Sequence, residues 1–519
     1  MRTLCLLLLV VNQLSAADIK LVLKNGSIVD GSGRKAYRAD IAISRNGHIA
    51  AIGNIESADT ETIDLAGLTV TPGFIDVHTH AENVQTSPGA TNFLRMGVTT
   101  LVLGNCGGSR LNIGDYFEDL EDRMISANVA TLIGHNTIRS RAMGGSFMRP
   151  PTKEEIQKMS DYVDAAMRDG AVGLSTGLIY LPGTFAKTDE IIALARTVGK
   201  HGGIYVSHMR SEGDKILGAI DELLQIAEAA GIPAHVSHIK ASGRRNWNRS
   251  TDILAKLDAA RDRGLLITQD QYMYTASSTG ISSIIPQEYR EGSRADFRDR
   301  IADPKLKSEI IARLKHHLKE RDEPDYNYAV IAYWSQDKKL NGMRIPAAAE
   351  KHLGSDSLDS QIELILKIHS SGGASGVYHK MIEDDLANFQ KNPFTMFASD
   401  SSIRKMNSGV PHPRGYGNAA RVLARYVREL KILKLEDAVR RMTTLPARMF
   451  QLKNRGAIRI GHHADLVIFD PAEVQDRATF ENPHQYATGF RYVFVNGQLV
   501  IQNDKHLGSR PGRAIQRNE

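Results

Sequence analysis

Short runs of alternating apolar and polar residues open the chain, at 19–23, 40–44 and 49–52, and similar runs close it, at 464–469, 492–495 and 499–501. A period of two marks half-buried strands. Asn25-Gly26, Asn46-Gly47 and Asn496-Gly497 sit beside these runs, and Asn-Gly favours the tight turn of a hairpin. Both chain ends are therefore predicted to be β-structure. Residues 18–71 and 450–519 are expected to pair into one small β-sandwich.

The middle has a different rhythm. Short apolar runs at 99–103, 130–133, 203–206, 234–236 and 265–267 alternate with helical patterns at 153–169, 188–201, 214–230 and 250–263. Continuous apolar runs suit strands buried on both faces. Strand–helix alternation over this length predicts an α/β fold, a (β/α)8 TIM-like barrel across 72–449. A doubly wound open sheet ranks lower, because no Gly-x-Gly-x-x-Gly turn follows the first strand of this region. The alternation stops near Pro286. Residues 287–350 are rich in charge and hold Asp303-Pro304 and Glu323-Pro324. That predicts an insertion on a barrel loop over the catalytic face.

Composition adds exclusions. The chain is 42% hydrophobic and 24% charged, with a formal net charge of +6 spread over 519 residues. No long basic run is present, which argues against a nucleic-acid partner. No stretch is long and apolar enough to span a membrane. Met1-Arg2-Thr3, the apolar run 4–11 and the small residues Ser15, Ala16 and Ala17 form the pattern of a secretory signal. Cleavage near Ala17 and a periplasmic or secreted protein are the expectation. Of the two cysteines, Cys5 falls within that leader, so Cys106 has no disulfide partner in the mature chain.

Candidate chemistry gathers at strand ends. His78-Thr79-His80 follows the run Phe74-Ile75-Asp76-Val77. Residues two apart on a strand point the same way, so both imidazoles aim at one place, as ligands of one metal should. Cys106 closes the next strand between Gly104-Asn105 and Gly107, where glycine lets the backbone crowd an ion. Val-Ser-His occurs twice after apolar runs, ending in His208 and His238, and Asp400 ends a late run. His78, His80, Cys106, His208, His238 and Asp400 together offer nitrogen, sulfur and carboxylate donors. That mixture suits zinc better than magnesium or calcium.

These residues also carry a resemblance. Pro-Gly-Phe-Ile-Asp-x-His-x-His resembles the opening signature of the amidohydrolase superfamily. Gly104-Asn105-Cys106-Gly107, Ser175-Thr176-Gly177-Leu178, Ser207-His208-Met209-Arg210, Ser237-His238-Ile239-Lys240, Asp270-Gln271-Tyr272-Met273-Tyr274 and His412-Pro413-Arg414 resemble segments of the N-acyl-D-amino-acid deacylases. So does the tail through Leu445-Pro446-Ala447, Ala464-Asp465-Leu466 and Val495-Asn496-Gly497. Ala81-Glu82 and Met273 depart from the family's usual acidic residues and proline. The resemblance implies hydrolysis of linear amides of D-amino acids. It implies one tight zinc on Cys106, His208 and His238, with a second, weaker position at His78, His80 and Asp400. Asp400 would also move the proton. Lys240, Tyr272 and Arg414, with Ser278 assisting, would hold the carboxylate of a small-molecule N-acyl-D-amino acid.

Rival readings share parts of this. A hydantoinase- or dihydroorotase-type cyclic-amide hydrolase commonly bridges two metals with a carboxylated lysine, and residues 171–175 offer none. A dipeptidase for peptides ending in a D-residue would use the same chemistry. A non-catalytic scaffold would have lost ligand residues, and none is lost. Oligomeric state is not legible in the pattern.

Overall fold

The computed structural model describes residues 18–56 and 59–517. The predicted leader, with Cys5, lies outside the described residues.

Parallel strands at Phe74–Asp76, Val98–Leu103, Asn128–Thr131 continued by Ile133–Gly134, Gly173–Gly177, Ile204–His208, Ala234–Val236, Ile267–Gln271 and Thr395–Phe397 form the barrel. The last strand returns to the first. The Asp400 amide donates to His78 O at 2.8 Å, and the His80 amide donates to Ser401 O at 2.8 Å. The buried Asp76 carboxylate reinforces this closure by accepting from the Ser399 amide at 3.1 Å. Alternation along each strand separates two cores. Val102 and Val206 fill the lumen with Ile75, Leu132, Ile204 and Met396. Their neighbours Leu101, Leu103 and Tyr205 face the helices outside.

The helices follow the predicted periodicity, at Lys153–Arg168, Thr188–Lys200, Ile216–Ala230 and Ser250–Asp262. Local chemistry starts the first of them. Thr152 and Glu155 form a reciprocal capping box that satisfies two orphan amides.

Two expectations about strands need correction. The seventh barrel strand is Ile267–Gln271, not 265–267, and Leu266 ahead of it is exposed. This strand is polar yet fully buried, so hydrophobic patterning passes over it. Partners replace water: Gln269 Nε2, for example, donates to Thr395 Oγ1 at 2.8 Å. Second, Asn25-Gly26 is no hairpin turn. Ile19–Ile28 is one strand with a register shift between Leu23 and Gly26 against its partner. Asn25 takes a left-handed φ of 58° as a bulge. Asn496-Gly497 does turn a hairpin, with φ values of 47° and 73° between Phe490–Val495 and Gln498–Gln502.

The two chain ends share one nine-stranded sheet. They join where Thr69–Pro72 pairs antiparallel with Leu466–Phe469. One apolar cluster is common to both halves and includes Leu23, Ile41, Val70, Ile458, Leu466 and Phe494.

The insertion is wider than 287–350. Its three-stranded sheet comprises Ser277–Gly280, Ala329–Tyr333 and Ser375–Tyr378. Its own apolar core runs from Ile281 to Tyr378 around Trp334, Leu314 and Ile365. Surface charge hides that core in the sequence, because helix Pro304–Glu320 buries only Ile310, Leu314 and Leu318. Asp303-Pro304 starts this helix: the Asp303 carboxylate accepts from the Lys305 amide at 2.8 Å, and proline suits the first turn.

Candidate metal centre

The lumen strands deliver their side chains to one point at the carboxyl end of the barrel. Cys106 reaches it because two glycines let the loop pass close to its neighbours. A Cβ on Gly104 would lie 2.1 Å from Leu132 O, and one on Gly107 would lie 2.1 Å from Asn136 Oδ1. Asn105 pins the same loop by donating to Val102 O at 3.0 Å. Cys106, His238 and Asp400 all take positive φ, at 53°, 34° and 49°. Side chains rarely adopt that region, and such outliers cluster at functional sites.

Cys106 Sγ lies 3.3 Å from His78 Nε2, 3.5 Å from His208 Nδ1 and 3.7 Å from His238 Nε2. Asp400 Oδ1 lies 3.2 Å from His80 Nε2 and 3.7 Å from His78 Nε2. The six residues singled out at the strand ends therefore converge. His78, Cys106 and His238 form one group of ligand atoms, and His78, His80 and Asp400 form another.

The electrostatics call for a cation. Burial alone would keep the Cys106 thiol neutral, yet His78, His208 and His238 pull its pKa well below the usual thiol range. Burial would also discharge His80, but the Asp400 carboxylate and Cys106 raise it to about 10. Asp400, likewise opposed by burial, is held well below the carboxylate range chiefly by Arg414 and His78. A thiolate and a carboxylate balanced here by imidazole protons are anionic donors that a divalent ion could bind in place of those protons, so the donor set fits a transition metal.

Sequence reasoning left three carboxylates around this centre without roles. Asp270, on the polar strand, meets His78 Nδ1 at 3.2 Å and His235 Nε2 at 2.8 Å. Asp76 accepts from the His78 amide at 3.2 Å. Burial, only partly offset by Ser399 and His78, raises Asp76 to about 7. Glu212 Oε1 stands 2.8 Å from His238 Nδ1. Asp76 and Asp270 fall inside quoted motifs. Glu212 lies in an irregular loop with no periodic signal.

The residues expected to hold a substrate carboxylate also lie together, with one exception. The Arg414 guanidinium and the Lys240 ammonium both lie over the Tyr272 ring, at 4.5 Å and 5.7 Å. Arg414 pairs with Asp400 Oδ2 at 2.9 Å. The hydroxyl of Ser278, however, donates to Gly376 O at 2.9 Å within the insertion's sheet, and its carbonyl is what faces Arg414, at 3.5 Å. Beside Glu212, a cavity of about 610 Å³ opens between barrel loops and the insertion, lined by Arg210, Ser242, Thr279, Arg321, Tyr378 and Lys380 among others.

The amidohydrolase family model matches residues 61–281 and 374–501, leaving out the core of the insertion. The chain belongs to the amidohydrolase family. It is a metal-dependent amidohydrolase, and its similarity is closer than the superfamily level. It is 33% identical to the D-aminoacylase of Alcaligenes xylosoxydans xylosoxydans over 98% of this chain and 99% of that one. It is 34% identical to the N-acyl-D-glutamate deacylase of the same organism over 96% and 97%. The structure of the Bordetella bronchiseptica N-acyl-D-glutamate deacylase, complexed with zinc and a phosphonate mimic of the tetrahedral intermediate, matches with a TM-score of 0.81 at 32% identity. That match covers 96% of this chain and 100% of that one.

Proposed function

We propose that this amidohydrolase uses zinc to hydrolyse N-acyl-D-amino acids to a carboxylic acid and a D-amino acid. The observation that carries the reading is the Cys106 thiol ringed by His78, His208 and His238 with Asp400 alongside. The relatives' activities and the zinc complex of a similar protein support it. Cys106, His208 and His238 would hold the tight ion, and His78, His80 and Asp400 would form a weaker second position. Bound zinc would polarise the amide carbonyl and acidify a water molecule.

The protein's own groups do the rest. Asp400, kept ionised by Arg414 and His78, accepts the water's proton and returns it to the departing nitrogen. Arg414 and Lys240, positioned over the Tyr272 ring, bind the substrate carboxylate, and Arg414 engages it in bidentate fashion. Ser278 serves through its backbone rather than its hydroxyl.

Strand Gly173–Gly177 reads Gly-Leu-Ser-Thr-Gly. It offers no lysine to be carboxylated, which disfavours cyclic-amide hydrolysis. The test is a panel of N-acetyl-D- and N-acetyl-L-amino acids, dipeptides ending in a D-residue, and a hydantoin, each with zinc-loaded enzyme. Faster turnover of the D-acyl substrates is expected. Preference for L-substrates or the hydantoin would overturn the assignment. The reading includes export after cleavage near Ala17, and a mature protein sequencing from Met1 would remove that part.

A further inference from the structure

Glu212 touches both halves of the site just proposed. Its Oε1 lies 2.8 Å from His238 Nδ1 and 3.8 Å from His208 Nε2. The same oxygen lies 2.5 Å from the Lys240 ammonium. The opposite ring nitrogens, His238 Nε2 and His208 Nδ1, are the ones that face Cys106. An imidazole that gives one nitrogen's lone pair to a metal keeps its proton on the other, and an outer carboxylate commonly receives that proton. The outer nitrogen of His238 is within hydrogen-bond reach of this carboxylate, and that of His208 stands just beyond it. His208 Nε2 is buried and has no hydrogen-bond partner, and Glu212 Oε1 faces it only at ion-pair distance.

Lys240 is drawn into the same arrangement. Its Nζ lies 2.8 Å from His238 Nδ1. Once Nδ1 carries a proton, these two atoms are donors facing each other, and the Glu212 carboxylate must accept from both. The triangle of His208, Glu212 and His238 has the spacing of a metal group, but the Lys240 ammonium already supplies a cation there.

We propose that Glu212 is a positioning residue: it fixes the tautomers of His208 and His238 for metal binding and aims Lys240 at the substrate carboxylate, so that one carboxylate couples the metal shell to the substrate clamp. The inference rests on the zinc deacylase reading. Without Glu212 the two rings lose the acceptor that orients them, and the ammonium is released from its anchor.

Glu212→Gln keeps the shape and removes the charge. Zinc affinity is measured by chelator competition without substrate, the cobalt(II)-thiolate absorption reports the geometry at Cys106, and kcat and KM are measured separately. Zinc binding should weaken by roughly 10–100-fold, the usual effect of losing an outer-shell partner. The cobalt spectrum should change, and KM should rise in zinc-saturated enzyme. Lys240→Met should raise KM while leaving zinc affinity within a few-fold. In the double variant the two KM effects should be less than multiplicative. Zinc affinity and KM both at wild-type values in Glu212→Gln would overturn the proposal, and so would fully multiplicative KM effects. If Glu212→Gln fails to fold, Glu212→Asp carries the same measurements, and wild-type zinc affinity and KM there would overturn it. A wild-type protein that binds no zinc would instead sink the underlying deacylase reading.

Discussion

Each end of the barrel buries a cluster of charged and amide side chains, and the two clusters are built differently. At the amino end, where the barrel meets the nine-stranded sheet, Asp465 accepts from Arg455 and from the Asn496 amide at 2.7 Å. Asn496 Nδ2 donates to Asn128 Oδ1 at 2.8 Å, and Arg455 donates to Asn496 Oδ1 at 2.9 Å. None of these four residues has a buried polar side-chain atom without a partner. At the carboxyl end, His208 Nε2, Ser399 Oγ and Arg414 Nε lack hydrogen-bond partners, and thiol, imidazoles and carboxylate crowd one point. A closed network holds two layers together. An open one is arranged for something that must arrive, and barrel enzymes place stability and catalysis at these two faces respectively.

The comparison can be broken most sharply at Cys106. Cys106→Ala should lose tightly bound metal and lower kcat/KM by at least about 10³-fold, equivalent to roughly 4 kcal/mol or more, while the fold is retained. Metal analysis beside circular dichroism checks it, and full zinc occupancy in the variant would remove Cys106 from the ligands. The amino end should respond in the opposite sense. Asp465→Ala strands the buried Arg455 guanidinium and should destabilise the fold by about 3–5 kcal/mol. The protein that remains folded should bind zinc as wild type does, and weakened zinc binding there would dissolve the division of labour.

Arg414→Ala sharpens the carboxyl end. It should lower kcat/KM by about 2–4 kcal/mol equivalent and erode D over L preference with metal content unchanged. A pH effect accompanies it. Burial already favours the protonated form of Asp400, and Arg414 is the largest influence against it. Removing Arg414 therefore raises the pKa of Asp400 and moves the acid limb of the rate profile to higher pH. An unmoved acid limb would separate Arg414 from Asp400.

The smallest expected effect lies in the insertion. Burial, then Arg321, lowers Lys380 to about 7, with Glu323 opposing. Its ammonium lies 3.6 Å from the Tyr328 ring centroid. The unfolded chain binds this proton more tightly than the folded one, so wild-type stability should rise as pH climbs from about 7 toward the ordinary lysine value. Lys380→Met should flatten that rise and lift the melting temperature by a few degrees near pH 7, offset by about 1 kcal/mol of lost cation–π attraction. A wild-type slope that survives the substitution would assign the titration to another group.

Much of this was legible beforehand, for reasons visible in particular residues. Val102 and Val206 announce buried strands because both faces of a barrel strand are apolar. His78 and His80, Cys106, His208, His238 and Asp400 stand just past such runs, where chemistry collects. The strand Ile267–Gln271 shows in the sequence only as the apolar run at 265–267, because its Gln269 and Asp270 are satisfied by partners distant in sequence, at Thr395 and His78. The insertion's core was missed because single apolar residues on charged helices meet only in three dimensions.

The sequence by itself determined the alternation that makes a barrel, the β-structure at both ends, and the set of donors that suits a transition metal. Those follow from local periodicity and side-chain chemistry, which neighbouring residues encode. Only the tertiary structure decided that Asn25 bulges a continuous strand, that the insertion closes on its own core, that Ser278 turns its hydroxyl away, and that Glu212 meets His238 and Lys240 at one oxygen. Each of these depends on a contact between segments far apart along the chain. Such contacts form only when burial brings the segments together, and no local pattern records them.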